Sequence, residues 1–328
     1  MPCPHPLPQL IVICGPTGSG KTTFAIELAR RLSGEIVGAD SMQIYRYMDI
    51  GTAKPTPDQQ ARVTHHLIDV SDPDQAFDAA RYVTLADTAI HSIARRNLPV
   101  LVVGGTGLYI KALIHGLFAS QPADFDLRRR LRREAEAIGS AGLYARLQQL
   151  DKAAAKRIHV HDTYRILRAL EAIEINGSPI STARAEHGFR PTRYETLKIG
   201  LYLQRPALYE RIDRRVDAMI AEGLLKEVKN LLDMGFGPGL KSMGSLGYRH
   251  MIDFMENRLT WDEALRTLKR DHRRYAKRQM TWFGADENIH WLTPDSIEAA
   301  WRLISDFLGR SRPKEVGRAV RERKVADE

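Results

Sequence analysis

Cysteine is nearly absent from this chain. Cys3 and Cys14 are the only two in 328 residues. A thiol in a proline-rich opening makes a poor disulfide partner for one in an apolar strand, so a disulfide-stapled fold is excluded and a reducing cytoplasm is expected. There is no CxxC, and the His65-His66 pair has no third ligand at a recognisable spacing, which leaves those histidines a structural or hydrogen-bonding role. No apolar run approaches the roughly 20 residues that span a bilayer, and the opening MPCPHPLP has neither a basic start nor an apolar stretch to act as a signal. Internal repeats, low-complexity tracts and a guanine-reading NKxD motif are also missing. Acidic residues fall short of basic ones, 40 against 49, for a formal net charge of +9 and a pI near 9.6, which favours an anionic partner.

What is present begins with Gly15–Thr22, GPTGSGKT, which follows the apolar run Leu10–Cys14 and precedes a helical pattern. This is the G-x-x-x-x-G-K-[ST] loop in its required strand-to-helix setting. Gly15, Gly18 and Gly20 let backbone N–H groups turn toward phosphate oxygens, and Pro16, Thr17 and Ser19 complete the cradle. Lys21 neutralises the outer phosphate, Thr22 can hold Mg²⁺, and the helix N-terminus adds partial positive charge.

Further short apolar segments alternate with helical patterns: Glu35–Ala39, Leu67–Val70, Pro99–Val103 and Lys198–Leu203. That order predicts an α/β fold, a parallel sheet flanked by helices of the P-loop NTPase kind. Between the fourth and fifth segments the chain turns rich in Ala, Leu, Arg and Glu, the mark of an all-helical insertion. The expected layout is a core over residues 1–120, a helical insertion over 121–195, a second part of the core with basic helices over 196–310, and a disordered tail over 311–328. Arg205–Leu232 and Trp261–Phe283 carry helical periodicity, and Ile289–Leu292 reads as an edge strand.

Asp40 immediately follows the second segment, where open α/β sheets present side chains to the crevice beyond their strands. It reads as a catalytic group or as a turn cap. Ser41, Met42 and Gln43 follow, a stretch whose polar side chains suit a base edge through Ser41 and Gln43, and Tyr45 and Tyr47 are available to stack. The fourth segment ends in Gly104-Gly105-Thr106-Gly107 where many P-loop NTPases have a metal-binding aspartate, which argues against a motor or switch and leaves Asp69 as the substitute. Basic residues cluster at 128–133 and again at Arg266, Lys269, Arg270, Arg273, Arg274, Lys277 and Arg278. In the second cluster, positions 266, 270, 273, 274 and 277 share one helix face, with few acids at four-residue spacing and with Tyr275, Trp282 and Phe283 nearby. Such a stripe suits a nucleic-acid backbone.

Taken together these segments resemble the tRNA dimethylallyltransferases, or tRNA isopentenyltransferases, of bacterial type. The likeness is carried by GPTGSGKT, DSMQIYRYMDIGTAKP from Asp40, HHLID from His65, VGGTGLYIKAL from Val103 and RILRALE from Arg165. It continues in ERIDRRVDAMIAEGLLKEV from Glu210, SLGYRHM from Ser245 and KRDHRRYAKRQMTWF from Lys269, in order along nearly the whole chain. The resemblance implies transfer of a dimethylallyl group from dimethylallyl diphosphate to the N6 amine of the adenosine at position 37, beside the tRNA anticodon, with Mg²⁺. The glycine loop would then hold a diphosphate rather than ATP. It implies Asp40 as base or acceptor for the amine, Thr106 close to the reacting groups, and Arg215 on the diphosphate. Asp40, Ser41, Met42, Gln43, Thr106, Tyr164, Arg165, Ile166, Leu167, Arg168, Arg273, Arg274, Lys277 and Arg278 would touch tRNA, with the insertion clamping the anticodon stem-loop. One tRNA per monomer is the simplest expectation, though oligomeric state is not readable from sequence. Tyr47 stands where relatives usually have glycine and Tyr164 where they have arginine, and there are no cysteines for the zinc finger of eukaryotic members. The rival readings are an adenylate isopentenyltransferase acting on free nucleotide, a P-loop small-molecule kinase and a nonenzymatic RNA-binding protein.

Overall fold

The computed structural model describes residues 8–116, 125–182 and 192–310, so the expected tail at 311–328 and Cys3 lie outside the described residues. These fall into two compact units, one built from 8–75, 90–107 and 196–310, the other from 76–89 and 108–195.

The first unit holds a six-stranded sheet. Its strands are β1 (Gln9–Cys14), β2 (Glu35–Gly38), β3 (His65–His66), β4 (Val100–Gly104), β5 (Glu195–Leu201) and β6 (Ile289–Leu292), in the order β3-β2-β4-β1-β5-β6. The pairs β1 with β4, β2 with β3 and β4, and β5 with β6 are parallel. Parallel strands need crossovers, and α1 (Lys21–Leu32) and α2 (Pro57–Arg62) supply the first of them. Leu10–Cys14 is apolar at every position because the strand is covered on both faces, with no residue there more than 1% exposed. On one face Ile11 and Ile13 pack with Phe24 and Leu28 of α1 and with Ala300 and Ile304 of α12 (Ile297–Arg310). Each of the Ile, Leu and Phe side chains, fully buried, stabilises the fold by about 1.5–3 kcal/mol.

The expected strand over Leu67–Val70 is not formed. The sheet takes only His65 and His66, because Leu67 and Asp69 adopt left-handed backbone, φ 63 and 56. The backbone N–H groups of Asp69 and Val70 bond instead to the carbonyls of Gln43 and Ile44, tying this stretch to the segment that follows Asp40. The predicted edge strand Ile289–Leu292 does close the sheet on its β5 side.

The second unit is helical and starts earlier in the chain than residue 121. It takes the first part of α3 (Ala79–Arg95) and nearly all of α4 (Gly107–His115), then α5 (Phe125–Leu150), α6 (Lys152–Ala155) and α7 (Thr163–Asn176). The reason is aromatic packing and ion pairing invisible in the local pattern. Tyr82 stacks on Tyr109 at 4.3 Å, and Asp87 accepts from the Tyr194 hydroxyl at 2.5 Å and from Arg193. Leu131, Leu143, Leu147, Ile166 and Leu170 form its core. Helix α5 breaks direction at Gly139, whose φ of 70 and ψ of 175 no helix allows.

After β5 the first unit continues through α8 (Arg205–Ala221), α9 (Leu224–Asp233), α10 (Tyr248–Met255) and α11 (Trp261–Phe283). The 23-residue α11 begins at a Thr260/Glu263 capping box, in which each side chain accepts from the other residue's backbone N–H.

Candidate active site

The glycine loop takes the shape its sequence calls for. Gly15 has φ 138, and a side chain there would lie 2.5 Å from the Leu201 carbonyl oxygen of β5, so the loop turns out of β1 against a neighbouring strand in a way only glycine permits. Helix α1 then starts at Gly20 with no side-chain cap, which leaves first-turn N–H groups for a ligand. Ser19 is fully buried and its Oγ has no partner. Lys21 curls back so that Nζ donates to the Pro16 carbonyl at 2.6 Å.

A cavity of about 550 Å³ opens over this loop, lined by Thr17, Lys21, Thr22, Asp40–Gln43, Arg215 and one face of α11, among others. Strand order explains the meeting: β2, which delivers Asp40, and β1, which delivers the loop, flank β4. Asp40 Oδ1 accepts from the Met42 N–H at 2.9 Å, so the carboxylate caps its own turn and faces the cavity in a set orientation. Thr106 fastens the arrangement: its Oγ1 accepts from the Ser41 N–H at 3.0 Å and its N–H donates to the Ala39 carbonyl at 3.1 Å.

Gly104, Gly105 and Gly107 are required by packing within the protein. A side chain on Gly104 would fall 2.0 Å from the Ala39 carbonyl oxygen, on Gly105 2.2 Å from Gln279 Nε2, and on Gly107 2.1 Å from Trp282 Nε1. The protein itself makes the close approach. Gln279, which sequence reasoning missed, joins the two loops. Its Oε1 accepts from the Thr17 N–H at 2.8 Å and its Nε2 donates to the Gly105 carbonyl at 2.9 Å. Thr17 therefore offers the cavity its side chain, its N–H being already engaged.

Charge is concentrated here. Burial, and then Arg215, push Lys21 down to about 8, with Asp40 opposing. Burial also lowers Arg215, again against Asp40, and its Nε is buried without a partner while Nη2 reaches the Thr52 carbonyl at 3.5 Å. Burial raises the Tyr275 phenol, and Asp40 adds to the effect. Two half-buried cations held away from their usual proton affinity, one with a buried unsatisfied donor, suit an anion.

Other expected residues are placed differently. Gln43 donates to the Thr52 and Ala53 carbonyls at 3.3 and 3.1 Å, so its amide nitrogen props the loop. Tyr45 is buried outside the cavity lining, and Tyr47, at φ 67, stacks on Phe236 at 6.3 Å. Asp69 does not replace the missing metal-binding aspartate: with Asp49 it grips buried Lys54, at 2.6 and 2.5 Å, away from the cavity lining. His65 Nδ1 bonds the Val63 carbonyl and His66 Nε2 bonds Glu35, each at 2.7 Å. Buried Cys14 is a free thiol pushed up to about 12 by burial.

In the helical unit Tyr164 is 70% exposed and Arg165 is exposed, whereas Ile166 is fully buried in the unit's core with Leu167 packed against it. The contact expected of the Ile166 side chain is thereby corrected: the residue holds α7 in place. Arg168 pairs with Glu171, as does Arg128, and Arg130 pairs with Glu174. On α11, Arg273 is held by both oxygens of Asp213 at 2.9 and 2.7 Å, and Lys269 by Asp217 at 2.6 Å. The acids that seemed sparse along α11 come from α8. Arg274 and Arg278 line the cavity and Lys277 is exposed. Glu227 also escaped the sequence reading. It accepts from the N–H groups of Asp49, Ile50 and Gly51 and from the Tyr248 hydroxyl at 2.7 Å, pinning the segment beyond Asp40.

A glycine loop on a parallel sheet, with a carboxylate two strands away across the same cavity, defines an α/β enzyme of the P-loop kind. The family model described as IPP transferase matches residues 43–286. Over 301 residues the chain is 52% identical to tRNA dimethylallyltransferase 2 of Syntrophus aciditrophicus (strain SB), covering 92% of this chain and 97% of the relative. It is 50% identical over 302 residues to tRNA dimethylallyltransferase of Desulfosudis oleivorans, covering 92% and 96%. Among solved structures, the full-length tRNA isopentenylpyrophosphate transferase of Bacillus halodurans matches with TM-score 0.69 at 40% identity, over 92% of this chain and 97% of that one. A eukaryotic dimethylallyltransferase acting on tRNA matches with TM-score 0.78 at 27% identity, over 94% and 81%. This chain belongs to the IPP transferase family.

Proposed function

We infer that this enzyme transfers a dimethylallyl group from dimethylallyl diphosphate to the N6 amine of the adenosine at position 37 of tRNA, releasing diphosphate. The observation that carries the reading is that one cavity is lined both by Lys21, Thr22 and Arg215 and by the Asp40 carboxylate, within a family whose closely similar members are named tRNA dimethylallyltransferases.

The chemistry follows from these groups. Adenine N6 is a weak nucleophile because its lone pair is delocalised into the ring. As N6 bonds to the allylic carbon, the carbon–oxygen bond breaks, its electron pair leaves with the diphosphate, and the amine proton passes to the Asp40 carboxylate. Loop N–H groups, Lys21 and Arg215 meet the charge that develops on the leaving oxygens. Thr106, by holding the Ser41 backbone, keeps Asp40 in register. A divalent cation suits the donor set in one way. Among the described residues no group of three or more His, Cys, Asp or Glu side chains could hold a metal, so Mg²⁺ would rest on the Thr22 hydroxyl, diphosphate oxygens and water, where it would neutralise leaving-group charge.

Arg274, Lys277 and Arg278 on α11, and Tyr164 and Arg165 on α7, are the exposed or cavity-facing groups for the RNA, with the helical unit as the clamp on the anticodon stem. An unpaired loop base leaves its stack at a cost of only a few kcal/mol, which suits an anticodon-loop target. No helix among the described residues is long and apolar enough to cross a membrane, and a free buried thiol fits work in the cytoplasm. A monomer meeting one tRNA is the simplest assembly.

The test is an assay with labelled dimethylallyl diphosphate against tRNA, AMP and ATP. Label should enter tRNA alone. Labelled AMP in preference to tRNA would establish the free-nucleotide enzyme, and ATP-dependent phosphoryl transfer without prenylation would establish a kinase.

A further inference from the structure

Helix α11 turns His272, Tyr275 and Gln279 toward the cavity. Gln279 is satisfied at both ends, by Thr17 and Gly105. His272 is not. It is 6% exposed, and its Nε2 has no hydrogen-bond partner. Two other lining residues share this condition, Arg215 through Nε and Ser245 through Oγ. Buried polar atoms in native proteins are almost always paired, so three orphans around one cavity mark where a polar ligand group belongs. A hydrocarbon prenyl tail offers them nothing.

The neighbours of His272 identify that group. Burial, Arg215 of α8 and His250 of α10 push its imidazole down to about 3, with Asp271 on its own helix as the opposing charge. His272 is therefore neutral at ordinary pH and carries one N–H. Arg215 in turn interacts with Lys21 of the glycine loop. Two cations and a neutral donor in electrostatic contact call for several acceptor oxygens carrying negative charge, which a nucleobase lacks and a diphosphate has.

We propose that His272 donates Nε2–H to a diphosphate oxygen of the prenyl donor, beside Arg215, and so holds the leaving group from the wall formed by α11. The assignment rests on the donor reading given under the proposed function. It makes His272 a substrate-contacting residue. It also explains why the His272 ring, which shares the cavity lining with Lys21 and Arg215, is neutral: a third fixed cation would repel the first two while the cavity is empty. Arrival of the anion raises the proton affinity of the ring and strengthens the bond.

The experiment compares wild type, His272→Ala and His272→Gln by calorimetry with inorganic pyrophosphate and Mg²⁺, by steady-state kinetics in dimethylallyl diphosphate, and by tRNA binding. His272→Ala should weaken pyrophosphate about tenfold or more, the scale of a hydrogen bond to a charged acceptor, and raise the donor KM in step, with tRNA affinity unchanged. His272→Gln should recover part of the loss through its amide N–H. In ¹⁵N-imidazole spectra of the wild type, pyrophosphate should move the His272 resonances and shift the titration of the ring upward. A folded His272→Ala protein with wild-type pyrophosphate affinity would overturn the assignment. So would wild-type His272 resonances that stay put at saturating pyrophosphate, a readout that does not depend on the variant folding. If the wild type itself neither bound pyrophosphate nor transferred the prenyl group, the donor reading would fail, and this inference with it.

Discussion

Arginine means two different things in the two units of this protein. In the helical unit Glu171, 3% exposed, takes Arg128 and Arg168, while Glu174 takes Arg130 and Arg146. Arg146 also reaches Glu134, at 2.6 Å. Carboxylates of α7 and α5 thereby bind arginines from both helices. Around the cavity of the α/β unit, by contrast, Arg215 keeps an orphaned Nε and His272 an orphaned Nε2. The cluster at 128–133 looks the more basic in sequence, yet much of its charge is answered internally. The isolated Arg215 is the one left in want of an anion. Pairing separates structural charge from functional charge, and local density does not.

Breaking the functional side should produce the largest effects. Lys21→Ala is expected to lower kcat/KM for the donor by about 10²–10³-fold, the cost of one preorganised cation or donor on a developing negative charge. In the wild type, Lys21 sits near 8, and only its protonated form attracts the anion. The donor KM should therefore stay level below that pH and rise about tenfold per unit above it, until the donor-bound pKa is passed. A flat KM from pH 7 to 9.5 would remove Lys21 from diphosphate binding.

Asp40→Ala should reduce prenyl transfer at least about a hundredfold with tRNA affinity nearly intact, measured by single turnover beside filter binding. Undiminished turnover would take the carboxylate out of the chemistry.

The structural side is probed by Glu171→Ala, which leaves Arg128 and Arg168 without their carboxylate. Removing one partner of a buried pair costs about 3–5 kcal/mol, and half-exposed arginines place this case at the lower end. Melting of the variant should fall by several degrees, with donor KM unmoved. A wild-type melting curve would show that these pairs hold nothing.

The smallest effect sharpens the comparison on α11. Lys277→Ala should weaken tRNA binding modestly and reduce the salt slope by about one unit, one phosphate contact. Arg273→Ala, whose guanidinium is already engaged by Asp213, should alter the slope less. Equal slopes for both would mean that the ion pair with Asp213 opens for RNA.

Much of the fold could be read directly. β1, the glycine loop and α1 follow from an apolar run, three glycines and a helical period, all within 24 residues of one another. The edge strand β6 and the long α11 are legible for similar local reasons. The missed strand over Leu67–Val70 and the late start assigned to the helical unit have a common cause. Both depend on partners distant in sequence, the carbonyls of Gln43 and Ile44 in one case and the Tyr82–Tyr109 stack in the other. Asp40 and Lys21, which line the cavity, could be singled out from their own motifs and Arg215 from the family resemblance, whereas Gln279, Glu227 and His272 could not. A glutamine or histidine inside a basic helix has no signature until its neighbours are known.

Sequence by itself determined the glycine loop of the phosphate-binding type, because that loop is continuous and its glycines, lysine and threonine act through their own backbone and spacing. It also determined the family, through blocks that run in order along nearly the whole chain. Only the tertiary structure decided which charges are available. Whether an arginine, a glutamine or a histidine is satisfied depends on carboxylates and carbonyls that folding brings to it from other elements, and no spacing along the chain encodes that meeting.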